Sequence, residues 1–149
     1  ETVALRYFNV YGPRQSPSSA YAAVIPKFLD AANAGVAATV FGDGSQTRDF
    51  LYAADIAQAN ILASRADKAA GQTINIASGS PVSVLELHQR ISRTCGVDIP
   101  PIFAAQRPGD IHSSVADTAL ARTALRFVPQ IDMHTGLKRT DAWFKGRGQ

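Results

Sequence analysis

A chain of 149 residues, 46% hydrophobic and 18% charged, carries enough apolar surface to bury one core, which excludes a disordered or collagenous segment. Fifteen Lys and Arg against twelve Asp and Glu leave a formal charge of +3. The basic residues are scattered with no aromatic-interleaved run, which sets nucleic acid aside and leaves room for a site that takes a compact anion. The single Cys95 excludes an internal disulfide, His88, His112 and His134 stand too far apart for metal-ligand spacing, and no apolar stretch reaches membrane-span length. Together these point to a protein of the reducing cytoplasm.

In chain order, residues 2–8 form an apolar, β-branched and aromatic run that reads as a strand ending at the turn signals Asn9, Gly12 and Pro13. No secretory signal pattern precedes it, and a buried-type strand at the very start is the expectation for a chain that begins inside a larger protein. A loop follows to about Ser19. Over 20–33, Val24, Ile25, Phe28, Leu29 and Ala32 recur at helical spacing, with Pro26 tolerable only in a first turn and Gly35 as a stop. Residues 38–41 and 47–52 read as short strands around Gly42-Asp43-Gly44, and 55–65 as a helix. Residues 73–77 are a further strand. Ser83 and Glu86 have the spacing of a capping box, opening a helix with Val84, Leu87, Ile91 and Cys95 on one face and Gly96 as its stop. The run 102–105 is a strand, 107–114 a polar loop, Asp117 caps a helix to about Arg126, and 135–144 is a last helix. Close alternation without repeats or linkers predicts an α/β arrangement.

Three features bear on chemistry. Gly42-Asp43-Gly44 begins like a dinucleotide fingerprint but lacks the third glycine and leads into strand-like sequence, so it is read as a hairpin turn. Arg48, just after it, can either pair with Asp49 or Asp43 on the surface or point along a sheet edge toward an anion. Arg107-Pro108-Gly109-Asp110 places a guanidinium fork and a carboxylate in a stiffened loop that either closes on itself or holds a phosphate and a sugar diol. No nucleophile elbow, zincin motif or P-loop is present, none of Tyr7, Tyr11, Tyr21 and Tyr52 has a lysine four residues later, and the histidines read as surface or helix-face residues.

Taken in order, Leu5 to Pro13, Val24 to Phe28, Phe41-Gly42-Asp43-Gly44, Thr47-Arg48-Asp49-Phe50, Tyr52, Asp55, Ile56, Asn75-Ile76-Ala77, Ser83 to Leu87 and Arg107-Pro108-Gly109-Asp110 resemble the extended short-chain dehydrogenase/reductases that act on nucleotide sugars. The resemblance spans essentially the whole chain. Within that family the segment 20–27 looks most like the UDP-N-acetylglucosamine (UDP-glucose) 4-epimerase group. The resemblance implies the C-terminal part of a Rossmann-type NAD(P)-binding fold: one sheet strand plus the smaller α/β substrate domain over 1–149, with the dinucleotide-binding half and the catalytic Tyr-x-x-x-Lys lying outside this chain.

It implies that Asn9 and the backbone at Ala23 and Val24 bind the sugar nucleotide, that Arg48 and Arg107 clamp its pyrophosphate, that Asp110 accepts from the ribose hydroxyls and that Phe41 lies against the uracil. Tyr7 and Val10 would sit near the nicotinamide of an NAD held mainly by the other half. Ser114 matches the site where a bulky tyrosine closes the sugar pocket, and its small side chain would leave room for an N-acetyl group. By the same likeness the longer parent is an isomerase inverting C4 of a UDP-sugar, in nucleotide-sugar metabolism or polysaccharide biosynthesis, and a homodimer; this chain alone is expected to be inactive. A sibling dehydratase, decarboxylase or reductase, and a non-catalytic binding module, are the alternatives.

Overall fold

The computed structural model describes residues 1–16 and 24–146. Its elements are β1 (Ala4–Tyr7), β2 (Val10–Tyr11), α1 (Val24–Asn33), β3 (Thr39–Phe41), β4 (Thr47–Asp49), β5 (Leu51–Tyr52), α2 (Ala53–Ala63), β6 (Thr73–Ile76), β7 (Pro81–Ser83), α3 (Val84–Cys95), β8 (Ile102–Ala104), β9 (Ser113–Ser114), α4 (Ala119–Leu125) and α5 (Met133–Gly146). The strands are short and their pairing is mostly parallel: β1 with β6, β2 with β5, and β3 with β8. Parallel partners need long crossovers, and the helices supply them. In the remaining sheet β4 lies between antiparallel β7 and parallel β9. The result is the mixed α/β class that the alternation of elements predicts.

Apolar residues collect into two cores. In one, Ile74 and Ile76 of β6, fully buried, meet Ile56 and Ala59 of α2 and Leu125 of α4. The carboxylate of Asp55, 2% exposed, accepts from the backbone N–H groups of Gln130 and Ile131 and so fastens the segment between α4 and α5 to the start of α2. The other core joins α1, α3 and α5 to β3 and to Phe50, with Leu29, Leu87 and Leu137 at its centre. Asp141 of α5 ties these helices together: it accepts from Asn33 Nδ2 at 2.9 Å and from Lys145 Nζ at 2.7 Å, and the Cys95 thiol faces it at 3.5 Å. That carboxylate, with burial, pushes the Cys95 pKa up to about 11, burial being the larger cause.

Several boundaries differ from the sequence reading. The helix expected over 20–33 is observed as α1 from Val24, with Pro26 in its first turn; residues 20–23 lie outside the described ones. The strand expected at 47–52 is two, β4 and β5, because β4 pairs with β7 and β9 while β5 leaves to pair with β2. Ser83 Oγ does accept from the Glu86 N–H at 3.1 Å, but the Glu86 carboxylate pairs forward with Arg90, so the capping box is closed on one side only. Gly96 ends α3 in the left-handed region at φ 73°. Asp117 supplies the capping bond expected of it, its carboxylate accepting from the Ala119 N–H at 2.8 Å, while Thr118, at the cap position itself, makes no side-chain capping bond. His88, expected at the surface or on a helix face, lies on a face of α3 that is buried: it is 8% exposed and edge-on against Phe28 of α1.

Candidate functional site

A cleft of about 600 Å³ opens between α1, β3 and the loop before β9. Four separate stretches of chain supply its charged and amide side chains: Asn9 after β1, Lys27 on α1, Gln46 and Arg48 around the start of β4, and Arg107 with Asp110. Phe41, Val24 and Phe50 supply apolar walls. The local reasons are visible in the chain. Gly42 and Gly44, at φ 71° and 78°, reverse the backbone between β3 and β4, and Gly109, at φ 76°, turns the loop so that Asp110 faces back toward β4.

Arg48 donates through Nη2 to Asp110 Oδ1 at 2.5 Å and through Nη1 to the carbonyl of Thr47 at 2.8 Å. Its partner is neither Asp49 nor Asp43. Asp49 is fully buried and accepts from Ser78 Oγ and from the N–H groups of Ser78 and Gly79, and Asp43 accepts from Ser45, whose bonds hold the Asp43 carboxyl below its ordinary range. The Arg48 and Asp110 side chains are 18% and 25% exposed, shielded enough for the pair to fix both orientations and open enough to meet a ligand. The Arg107 guanidinium carbon lies 3.8 Å from the centroid of the Phe41 ring. Asn9 spends one of its N–H donors on the carbonyl of Asp49 at 2.9 Å, which joins it to the strand that carries Arg48.

Of the residues singled out in the sequence, Asn9, Val24, Phe41, Arg48, Arg107 and Asp110 line this one cleft. Ser114 is not on its wall, but it is the register partner of Arg48 across β4 and β9, and register partners point to the same face of a sheet. Tyr7 and Val10 stand elsewhere, at the carboxyl ends of β1 and the start of β2; Tyr7 donates to Asn60 Oδ1 at 2.8 Å, and Val10 packs on the core around β6. Ala23 lies outside the described residues. Lys27 and Gln46 were not singled out beforehand. Lys27 occupies the polar face of an amphipathic helix, where a solvated lysine is the ordinary expectation, and only the position of β3 turns that face into a cleft wall. Gln46 Nε2 donates to the Phe41 carbonyl at 2.7 Å, closing the turn.

Tyr11 is unsuited to proton abstraction, since burial, with Tyr52 and nearby carboxylates, pushes its hydroxyl pKa up. Among the described residues no group of His, Cys, Asp and Glu is placed to hold a metal ion, and no helix is long and apolar enough to cross a membrane.

Comparison with known proteins adds the following. The NAD dependent epimerase/dehydratase family matches over residues 1–77. The structure resembles UDP-N-acetylglucosamine 4-epimerase from Methanobrevibacter ruminantium M1, solved in complex with UDP-N-acetylmuramic acid, with a TM-score of 0.92 and 42% identity; the match covers 97% of this chain and 46% of that one. UDP-glucose 4-epimerase of Mycolicibacterium smegmatis is 36% identical over 141 residues, 95% of this chain and 44% of that protein. UDP-N-acetyl-alpha-D-glucosaminuronate decarboxylase of Bacillus cytotoxicus is 35% identical over 147 residues, 95% of this chain and 45% of that protein. The chain thus spans less than half the length of these relatives.

Proposed function

The chain belongs to the NAD dependent epimerase/dehydratase family, and from that premise we propose that it forms the nucleotide-sugar-binding half, over 1–149, of a UDP-sugar 4-epimerase. The observation that carries the reading is the convergence of Arg48, Arg107, Asp110 and Asn9, from three distant stretches of chain, on one cleft. Three cations, Lys27, Arg48 and Arg107, face one carboxylate there, an excess suited to a diphosphate with two negative charges.

In this reading Arg48 and Arg107 hold the diphosphate, Asp110 accepts from the ribose hydroxyls while it orients Arg48, and Asn9 and the backbone at Ala23 and Val24 complete the anchor. Phe41 flanks the base. Ser114, small and on the face that carries Arg48, leaves space at C2 of the hexose. Firm anchoring at the nucleotide with little contact to the hexose is what inversion at C4 requires, because the sugar must present both faces in turn to one reaction centre.

NAD belongs to this reading as well. The turn at Gly42 and Gly44 does not suit a dinucleotide: it leads into β4 rather than a helix N-terminus, and a side chain at Gly44 would meet Leu85 and Val40 at about 3.0 and 3.1 Å. Tyr7 suits its nicotinamide edge, since it ends parallel β1, where ligands meet the carboxyl ends of strands, and Val10 would join it from the start of β2 that follows. The chemistry NAD supplies when bound is reversible hydride exchange with C4 of the sugar. The groups that move the hydroxyl proton and cradle the rest of the dinucleotide lie outside this chain, which is inactive alone; the longer parent is a cytoplasmic homodimer.

Calorimetric titration with UDP-N-acetylglucosamine and UDP-glucose tests the anchor. Arg48→Ala and Arg107→Ala each weaken binding by about 10- to 100-fold, the loss of a charge-assisted contact. Binding that neither substitution changes refutes the reading. A sibling chemistry on the same anchor is the second reading, favoured by the 35% identity to the decarboxylase. Product analysis of a longer polypeptide carrying this half separates them: inversion at C4 against loss of the sugar carboxylate.

A further inference from the structure

We propose, resting on the diphosphate reading above, that Phe41 is a positioning residue for Arg107 and strengthens diphosphate binding through that arginine, independently of any contact it makes with the base. Arg107 sits in an exposed loop followed by Pro108 and Gly109, and its long side chain has many rotamers to lose when a ligand arrives. Among the described residues no carboxylate pairs with its guanidinium. What it meets is the face of the Phe41 ring, 3.8 Å away, a cation–π contact.

The ring is a firm support. Phe41 ends β3 in register with Ala104 of β8, its carbonyl accepts from Gln46 Nε2 at 2.7 Å, and the next residue, Gly42, donates to the Ala104 carbonyl at 2.9 Å. The peptide that follows the ring is therefore pinned by two bonds to different parts of the chain. The other cation differs in kind: Arg48 is held by Asp110 and the Thr47 carbonyl. The cleft thus holds one guanidinium through a carboxylate and the other through an aromatic face, each restrained before a ligand binds.

A double-mutant cycle read by calorimetry with UDP as the probe tests this. Phe41→Leu weakens UDP binding by about threefold to tenfold, the range of a cation–π contact at a partly exposed site. In an Arg107→Ala background the same substitution costs clearly less, what is left being the contact of the ring with the base, and Phe41→Tyr, which keeps the ring, recovers most of the loss. Equal loss in both backgrounds, or a Phe41→Tyr as weak as Phe41→Leu, overturns the proposal while leaving the anchor reading intact. An Arg107→Ala that binds UDP as the parent does overturns the anchor role of Arg107 and this proposal with it. Thermal melts accompany each variant, and Phe41→Met replaces the leucine variant if that one unfolds early.

Discussion

Replacing Gly136 with alanine brings two effects of opposite sign into one position of α5. An alanine in a helix interior is favoured over glycine by about 1 kcal/mol. Against this, a Cβ at Gly136 would lie 2.9 Å from the Tyr11 ring carbon Cζ and closer still to its hydroxyl. Tyr11 has nowhere to go: it is 2% exposed, and its ring packs edge-on against Phe50 and Tyr52 at centroid distances of 6.5 and 5.6 Å. Overpacking of this kind costs about 1–3 kcal/mol, and overlap with a rigid buried ring belongs at the upper end. The net expectation is a loss of about 2 kcal/mol, equivalent to about 4–8 °C in Tm for a chain of this size. Urea denaturation gives the midpoint and slope together, so a pure stability change is recognisable. Tyr11→Phe in the Gly136→Ala background removes the closest atom but leaves the ring carbon, and restores part of the loss. A Gly136→Ala protein as stable as the parent, or more so, would show that helix propensity prevails and that the Tyr11 ring is not seated against α5.

The remaining predictions concern buried polar groups and the sugar end of the cleft. Asp49→Ala strips the acceptor from the Ser78 and Gly79 N–H groups and from the Ser78 hydroxyl, and lowers stability by about 2–4 kcal/mol in denaturant titration; a change under about 0.5 kcal/mol would mean the loop holds itself. Burial lowers the His88 pKa below its ordinary 6.5, so the unfolded chain takes up this proton more readily than the folded one. The stability His88 confers is therefore fully present above pH 6.5 and is lost as pH falls from there through the lower folded value. His88→Leu flattens Tm against pH over that window, and an unchanged profile counts against the assignment. Ser114→Tyr in the longer polypeptide selects against an N-acetylated hexose relative to the unsubstituted one, read as the ratio of kcat/KM for the two; an unchanged ratio removes Ser114 from the sugar pocket.

Much of the local architecture is written in short stretches of chain. Ser83, the 3.6-residue spacing of Val84, Leu87 and Ile91, and Gly96 define α3 without reference to anything distant, because a cap, a periodic face and a left-handed stop each involve groups within one or two turns of each other. The turn glycines and the order of helices and strands were legible for the same reason. Partner choice was not. From its neighbours alone Arg48 could have met Asp43 or Asp49, yet it meets Asp110, 62 residues away, because the pairing of β4 with β9 draws the loop before β9 alongside it and because Asp49 turns inward to the 78–80 loop. β7 escaped the sequence reading since three residues beginning with proline have no period of their own, and it exists through its pairing with β4. His88 is buried because Phe28 of a different helix covers it, and Lys27 walls a cleft because β3 lies opposite. Helix, turn and cap are decided by interactions spanning a few residues, which the sequence lays side by side; ion-pair partners, buried faces and cleft walls are decided by which distant surfaces the core brings together, and that is a property of the packed chain.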